Sequence, residues 1–446
     1  MSSPTSTAAL DAGWAGHPRG LATLFLTEMW ERFSYYGMRA FLILYMTAPV
    51  AAGGLGFAVA DAASIYGTYT GSVWGAAILG GLVADRFLGA YRSVLLGGII
   101  IALGHVALAF KALTFFYLGL GLIVVGTGLL KPNISIIVGA LYREGDSRRD
   151  AGFSVFYMGI NLGAFLGPLI AGYLAQRVDW HLGFGCAAVG MAFGVGQYVM
   201  GKRHLAPAIE RLSTKPAPLS PTGAATTAPG VTSAEWMRIG AIVVFFLFAT
   251  IFWGAYEQAA STLSLFGDRY TRHEVFGFNF PSSWFQLVQP VAVIVLAPVF
   301  AWLWLRLGRL EPSSPAKFAF GLAFVGVSFL MLLPAASMAQ SGEGIRVSPW
   351  WLIAALFVTE FGELCVSPVG LSLVTKLSPV RLVGLMMGVW MLSNSAGNKL
   401  AGWAAGFFGT VPLTEIFGTV AAVTIGASVV MFLLVRPVRK MMGGVL

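Results

Sequence analysis

Residues 23–46 read TLFLTEMWERFSYYGMRAFLILYM, an apolar stretch long enough to cross a bilayer as a helix, for which about 20 residues suffice. Four charged side chains nevertheless lie within it. At 100° per residue these charges share one arc of about 140° with two tyrosines, and the six residues on the arc are Glu28, Glu31, Arg32, Tyr35, Tyr36 and Arg39. A helix with one charged and one apolar face is typical of a membrane bundle with a polar interior.

The charges on this arc can pair within the helix. Arg32 lies four residues after Glu28, a spacing at which side chains meet on a helix surface. Glu31 adds a second carboxylate beside that pair, and a medium of low dielectric constant favours the protonated form of such a group. The pattern therefore predicts a carboxylate that can take up and release a proton.

The composition of the whole chain is that of a membrane protein. It is 57% hydrophobic and 11% charged, with a mean hydropathy of +0.78, whereas soluble domains have about 25% charged residues. The net charge of +9 does not indicate nucleic-acid binding, because the bases lie in short loops between apolar spans. Cys186 and Cys365 lie inside apolar stretches, so we expect no disulfide or metal framework. The polar first residues predict no cleaved signal peptide.

Hydropathy predicts twelve membrane-spanning helices. They lie near residues 20–48, 62–84, 90–110, 113–138, 152–176, 179–201, 234–265, 283–305, 316–338, 349–376, 382–408 and 414–436. A Pro/Ala/Thr-rich stretch from Lys202 to Glu235 separates the sixth span from the seventh and predicts a flexible linker. Two sets of six spans joined by a linker are the layout of transporters with paired repeats.

We therefore predict an all-α polytopic membrane protein with two six-helix halves. The expected domains are a cytoplasmic tail (1–19), a six-helix bundle (20–201), a cytoplasmic linker (202–233), a second six-helix bundle (234–436) and a cytoplasmic tail (437–446). Placing the N-terminus in the cytoplasm puts 19 of the 28 Lys and Arg residues in cytoplasmic segments. This bias predicts that both termini are cytoplasmic.

Charged residues also fall inside other spans. The bases within spans are Arg32, Arg39, Lys131 and Lys399, and the acids are Glu28, Glu31, Glu257, Glu360 and Glu363. An ionisable group at bilayer depth normally faces a protein interior and has a partner. Structural ion pairs between helices are the alternative explanation. The excess of acids predicts that at least one buried carboxylate is neutral in some state.

Several of these residues stand in distinctive contexts. Lys131 precedes Pro132, and proline frees a backbone carbonyl that membrane helices tolerate near cavities. Glu363 precedes a Ser-Pro break at Pro368. Asn161 is a polar group among small residues, and an interhelical hydrogen bond is an equally simple explanation for it.

Several motifs along the chain occur together in one known family. Residues 28–37 match the pattern ExxERFxYYG, and residues 80–98 (GGLVADRFLGAYRSVLLGG) and 153–168 (FSVFYMGINLGAFLGP) match two further signatures. Together with the Lys-Pro-Asn, Glu-Gln and Glu…Ser-Pro groups, they cover nearly the whole chain. The sequence thus resembles the proton-dependent oligopeptide transporter family (POT/PTR) of the major facilitator superfamily.

The resemblance implies a fold and a mechanism. The fold would be the major facilitator fold, with 12 transmembrane helices in two six-helix bundles around a central cavity. The activity would be proton-coupled symport of di- and tripeptides into the cytoplasm by alternating access. Proton coupling would involve Glu28, Glu31 and Arg32, and Lys131 and Glu257 would form a gating salt bridge.

The resemblance also implies a peptide site. Its residues would be Arg32, Tyr35, Tyr36, Arg39, Tyr69, Lys131, Tyr157, Asn161, Trp253, Glu257, Gln289, Glu363 and Trp390. Arg32 and Lys131 would attract the peptide carboxylate, Asn161 and Glu363 would hold its ammonium, and the aromatic side chains, with Trp284, would line a tolerant pocket. Neither a cofactor nor a metal is implied, because the proton gradient supplies the energy. A monomer in the bacterial inner membrane is expected.

Three positions depart from the family pattern. Gln289 precedes Pro290 where the family usually has Asn, which weakens the expected ammonium contact there. Gly67 occupies the position of the histidine of animal members, which leaves proton handling to carboxylates. The segment VWGAAI (73–78) replaces an aromatic-x-Thr-Pro stretch.

Other functions fit the sequence less well. A related cargo, such as another small organic anion or a peptide-like drug, would use the same scaffold, although plant relatives with such cargo often lack part of the first motif. A membrane enzyme is disfavoured because no hydrolase or metalloprotease motif is present. A receptor would not need opposite charges distributed over both halves.

Overall fold

The computed structural model describes residues 13, 16–143, 145–214, 232–379 and 382–443, most of which are helical. The helices are α1 (Arg19–Thr47), α2 (Val59–Val83), α3 (Gly89–Leu108), α4 (Leu113–Ala140), α5 (Arg149–Gly167), α6 (Tyr173–Arg177), α7 (Trp180–Met200), α8 (Lys202–Thr214), α9 (Ser233–Tyr256), α10 (Thr262–Tyr270), α11 (Val288–Leu307), α12 (Ser314–Ala339), α13 (Pro349–Leu377), α14 (Val383–Ala405) and α15 (Leu413–Met441). Two short strands, β1 (Glu274–Val275) and β2 (Phe278–Asn279), form an antiparallel hairpin.

Nine helical stretches in the described part of the chain are long and apolar enough to cross a membrane. One of them, Val59–Leu108, contains both α2 and α3. The predicted first and eleventh spans are also helices, α1 and α14, but they are less apolar: α1 carries the charged arc and α14 carries Asn394, Asn398 and Lys399. The structure therefore confirms the prediction of a polytopic all-α membrane protein.

Irregular helical turns separate several of these helices. A π-helical turn over Ala84–Leu88 joins α2 to α3, and Gly89 follows it with φ 72°, a left-handed conformation that glycine adopts without strain. A second π-helical turn, Pro168–Gly172, separates α5 from α6. A 3₁₀ turn over Glu257–Ala260 separates α9 from α10 and so places Glu257 at a helix break.

The chain divides into two compact units. Unit 1 comprises residues 1–39 and 75–226, and unit 2 comprises residues 40–74 and 227–446. The C-terminal end of α1 and the first part of α2 thus group with unit 2. The division into bundles at residues 20–201 and 234–436 stays a prediction.

The linker begins differently from its prediction. The sequence predicts a flexible segment from Lys202, but residues Lys202–Thr214 form helix α8. Leu205 and Ala208 are fully buried in the apolar core of unit 1, and Ile209 and Leu212 pack against that core. This apolar spacing is that of an amphipathic helix, which the Pro/Ala/Thr-rich composition of the later residues obscured. Residues 215–231 lie outside the described part.

Candidate functional site

The predicted charged cluster on α1 forms in unit 1. The Nε atom of Arg32 lies 3.2 Å from Oε1 of Glu28 and also contacts Oε2 of Glu31. All three side chains are buried, with at most 4% of any side chain exposed. The structure thus brings together the three residues predicted for proton coupling and confirms the pairing of Arg32 with Glu28.

Three polar atoms of this cluster are left over. Oε2 of Glu28, Oε1 of Glu31 and Nη2 of Arg32 are buried and have no hydrogen-bond partner among the described residues. Two ionised carboxylates exceed one guanidinium by one negative charge, which is costly in a low-dielectric interior unless a proton or a further cation compensates it. The cluster is therefore built to accept a proton or a further cation, while Nη2 of Arg32 offers a donor to an anion.

Two tyrosines surround the guanidinium of Arg32. Its Cζ atom lies 5.3 Å from the ring centre of Tyr35 and 5.9 Å from that of Tyr36. Arg39 lies 5.9 Å from the same Tyr36 ring. These distances suit cation–π contacts. The tyrosines therefore help to hold both arginines on the charged face of α1.

A stripe of glycines on α5 positions the charged face of α1. Gly159, Gly163 and Gly167 recur every four residues and pack against the α1 backbone. A Cβ atom on Gly163 would lie 2.8 Å from Cβ of Arg32 and would collide with the carbonyl oxygen of Met29. Small residues at this spacing let membrane helices approach closely. Sequence reasoning missed this role, although the four-residue glycine spacing in the second signature was its signal.

Helix α4 contributes Lys131 to unit 1. Lys131 is near enough to Glu28 to interact with it electrostatically. Pro132 follows within the helix, and the side-chain amide of Asn133 donates to the Leu129 carbonyl, one turn earlier, at 2.8 Å.

A cavity of about 810 Å³ lies at the end of α4 in unit 1. Its wall includes Ser135 and Gly139, one and two turns after Lys131 on the same helical face. Its basic lining residues are Arg143, Arg149 and Arg211. The face that carries Lys131 thus continues into a basic cavity.

Asn161 lies on α5 and is buried. Its Nδ2 donates to the carbonyl of Tyr157, one turn earlier, at 3.0 Å. This contact is within the helix, so the interhelical hydrogen bond considered from the sequence is not what the amide group makes. This bond uses one of the two amide N–H groups, and the side-chain oxygen of Asn161 can act as an acceptor.

Unit 2 contains a second buried acidic pair, on α13. Both oxygens of Glu360 accept hydrogen bonds, from Nε2 of Gln289 at 2.8 Å and from the Tyr256 hydroxyl at 3.4 Å. Glu363 accepts a hydrogen bond from Ser367, and its Oε2 is buried with no partner among the described residues. Sequence reasoning placed Glu360 in a span but gave it no role, because its partners come from α9 and α11.

The aromatic residues predicted for the pocket differ in burial. Tyr69, Trp253 and Trp390 are buried in unit 2, whereas Tyr157 in unit 1 is 42% exposed. Trp390 packs against Gly370 and lies edge-on to Phe318. Trp253 lies edge-on to Tyr256, next to Glu257.

Gly67 has a structural reason to lack a side chain. It packs in unit 2 against α14, where an added Cβ atom would lie 2.8 Å from Cα of Gly402. A histidine therefore does not fit at this position without separating the two helices.

Lys131 belongs to unit 1 and Glu257 to unit 2, so their gating salt bridge stays a prediction.

Comparisons with known proteins agree with this arrangement. A family model described as the POT family matches residues 91–212 and 227–424. The chain is 41% identical to an uncharacterized transporter, YclF, of Bacillus subtilis, over 97% of each chain. It is 38% identical to a di-/tripeptide transporter of Lactococcus lactis subsp. cremoris, over 96% of this chain and 97% of the relative.

A solved structure is similar throughout. The crystal structure of a mutant of the peptide transporter POT in complex with alafosfalin superposes with a TM-score of 0.90 at 38% identity. The match covers 98% of each chain.

Proposed function

Since this chain, matched by the family model over residues 91–212 and 227–424, belongs to the POT family, we propose that it imports di- and tripeptides together with protons. It is a multi-pass membrane transporter and not an enzyme. The observation that carries the proposal is the buried cluster of two carboxylates and one guanidinium on α1. The relatives described as peptide transporters support the choice of cargo.

Proton coupling follows from the charge of that cluster. Glu28 and Glu31 share Arg32, and each keeps one buried oxygen without a partner. Uptake of one proton removes the excess negative charge and converts one oxygen into a donor. Release of that proton restores the charge. The cluster can therefore exchange a proton in step with a conformational change.

Peptide binding would use opposite charges in the two units. In unit 1, Nη2 of Arg32 has no partner among the described residues and would donate to the peptide carboxylate. Lys131 would add a second positive charge at this end of the peptide. In unit 2, Oε2 of Glu363 is an acceptor for the peptide ammonium, and Gln289 supplies an amide nearby. Charge-assisted hydrogen bonds of this kind are the strong ones. Asn161, in unit 1, would add an acceptor for the ammonium.

The gate would be a salt bridge between Lys131 and Glu257. Alternating access moves one repeat against the other, so a pair that joins α4 to the helix break after α9 can close in one state and open in another. The peptide carboxylate competes for Lys131 and so frees Glu257. We expect Lys131→Ala and Glu257→Ala each to eliminate proton-driven transport, because the remaining charge is left without its partner. A separation of more than about 8 Å between their charged atoms in every transport state would contradict the gate.

The setting of the protein is part of the same proposal. The distribution of Lys and Arg supports an orientation with both termini in the cytoplasm, and the membrane would be the bacterial inner membrane. The proton gradient drives transport without a cofactor, and a monomer suffices because the proposed site uses residues of one chain.

Uptake of labelled dialanine into liposomes tests the proposed function. With purified protein and an imposed proton gradient, inside alkaline, we expect accumulation above equilibrium that a protonophore abolishes. Unlabelled di- and tripeptides should compete, and tetrapeptides should compete poorly. Accumulation without a proton gradient would contradict coupling. Competition by other organic anions but not by peptides would indicate a different cargo on the same scaffold.

A further inference from the structure

Glu360, in unit 2, has no role in the transport mechanism proposed above. It is fully buried, and it contacts Gln289, which is half-buried. We propose that Glu360 is a positioning residue that orients the Gln289 amide so that its carbonyl oxygen faces the substrate ammonium. This inference rests on the proposed function and names one of its specificity determinants.

The hydrogen bonds of Glu360 define the orientation of Gln289. One Glu360 oxygen accepts from Nε2 of Gln289 at 2.8 Å, and the other accepts from the Tyr256 hydroxyl at 3.4 Å. The Gln289 atom that contacts Glu360 is thus the amide nitrogen. Gln289 therefore presents its NH₂ group to Glu360. Its carbonyl oxygen then occupies the other branch of the planar amide, away from Glu360.

A second acceptor lies on the same helix as Glu360. Glu363 follows Glu360 by three residues on α13, and residues at this spacing are neighbours on a helix surface. Oε2 of Glu363 is buried and has no hydrogen-bond partner among the described residues. An ammonium group has three donors and no acceptor, so it needs several acceptors in one place. Glu363 and the oriented Gln289 together supply two.

Replacing Glu360 by a neutral residue would leave the orientation of the Gln289 amide undefined. Glu360→Gln is isosteric but carries both a donor and an acceptor, so Gln289 could turn either way. The outward oxygen would then be present in only a fraction of the molecules. Apparent affinity falls in proportion to the competent fraction. Substrates without a free ammonium would not be affected by this loss.

The test is a ratio of affinities measured by competition in liposomes. For each variant, inhibition of labelled dialanine uptake by free dialanine is divided by inhibition by N-acetyl-dialanine. Glu360→Gln should lower this preference for a free ammonium by about two- to fivefold. In a Gln289→Ala background, the same substitution should leave the ratio unchanged, because the amide that it would disorient is gone.

Three results would overturn the proposal. A wild-type ratio in Glu360→Gln would mean that position 360 does not influence the ammonium end. An equal loss in both backgrounds would mean that Glu360 acts as a distant charge and not through Gln289. If Glu360→Gln does not fold, Glu360→Asp withdraws the carboxylate by one methylene group, and a wild-type ratio there overturns the proposal as well.

These results are separate from failure of the proposed function. If the wild-type protein accumulates no peptide, the proposed function fails before any variant is compared. If it accumulates dialanine and prefers the free ammonium, but the double-variant comparison shows no dependence on Gln289, only the positioning role fails.

Discussion

Two Glu-x-x-Glu pairs lie in spans of this protein, and they have opposite surroundings. On α1, Glu28 and Glu31 share the guanidinium of Arg32. On α13, Glu360 receives hydrogen bonds from the neutral groups of Gln289 and Tyr256. One local difference is the residue that directly follows the second glutamate, which is Arg32 in the first pair and Leu364 in the second.

Because their surroundings differ, the two Glu-x-x-Glu pairs have different chemistry. A guanidinium beside two carboxylates compensates one charge, so a proton or the nearby Lys131 has to compensate the other. Neutral donors satisfy the oxygens of Glu360 but add no positive charge. In the proposed site, the α13 pair therefore offers oxygen acceptors to a cation such as a peptide ammonium.

The largest expected effect is at Glu31. Glu31→Gln removes the charge that the proton would compensate, so we expect gradient-driven accumulation to be abolished while non-accumulating exchange remains in part. Uptake and counterflow in liposomes measure the two separately. Glu274→Gln, on the exposed β1 strand, is the control and should behave as wild type. Wild-type accumulation in Glu31→Gln would remove this residue from the coupling mechanism.

Blocked substrates test whether the two pairs serve opposite ends of the peptide. N-acetylation and C-amidation should each weaken competition by about 1.5–3 kcal/mol, or roughly tenfold or more, because each removes a charged hydrogen bond. Competition assays with dialanine and its two blocked forms give the comparison. Blocked peptides that compete as well as free ones would refute a site that holds both ends.

The glycine stripe tests whether packing positions the α1 cluster. Gly163→Ala places a methyl group against Met29 and Arg32, so we expect a loss of about 1–3 kcal/mol in stability and a fall in transport. Thermal unfolding in detergent and dialanine uptake are the measurements. Gly185→Ala is the matched control, because nothing lies within 4 Å of its added Cβ atom. Equal behaviour of the two variants would mean that α1 and α5 can adjust.

The smallest effect is expected at Lys399. This lysine is exposed and donates to the Thr68 hydroxyl at 2.5 Å, so it lies outside both buried clusters. Lys399→Met should change stability by no more than about 0.5 kcal/mol and leave the coupling ratio unchanged. Thermal unfolding and gradient-driven uptake would check this. Loss of coupling in this variant would show that charge in α14 matters to the mechanism.

Part of the site was predictable because it is local. The pairing of Arg32 with Glu28 follows from their four-residue spacing, which acts within a single helix. The residues of the α1 arc were placed correctly for the same reason. The helix over Lys202–Thr214 was also encoded locally, by Leu205 and Ala208, but the composition of the following segment misled its interpretation.

The sequence by itself determined the class of protein, its helices and the charged face of α1, because these depend on composition and on contacts within one helix. The tertiary structure decided the rest. That Gln289 reaches Glu360, that Gly163 lies against Arg32 and that Gly67 lies against Gly402 are contacts between helices far apart in the chain. Hydropathy places a residue in a span, but it does not select the neighbour, which is chosen by how the helices pack.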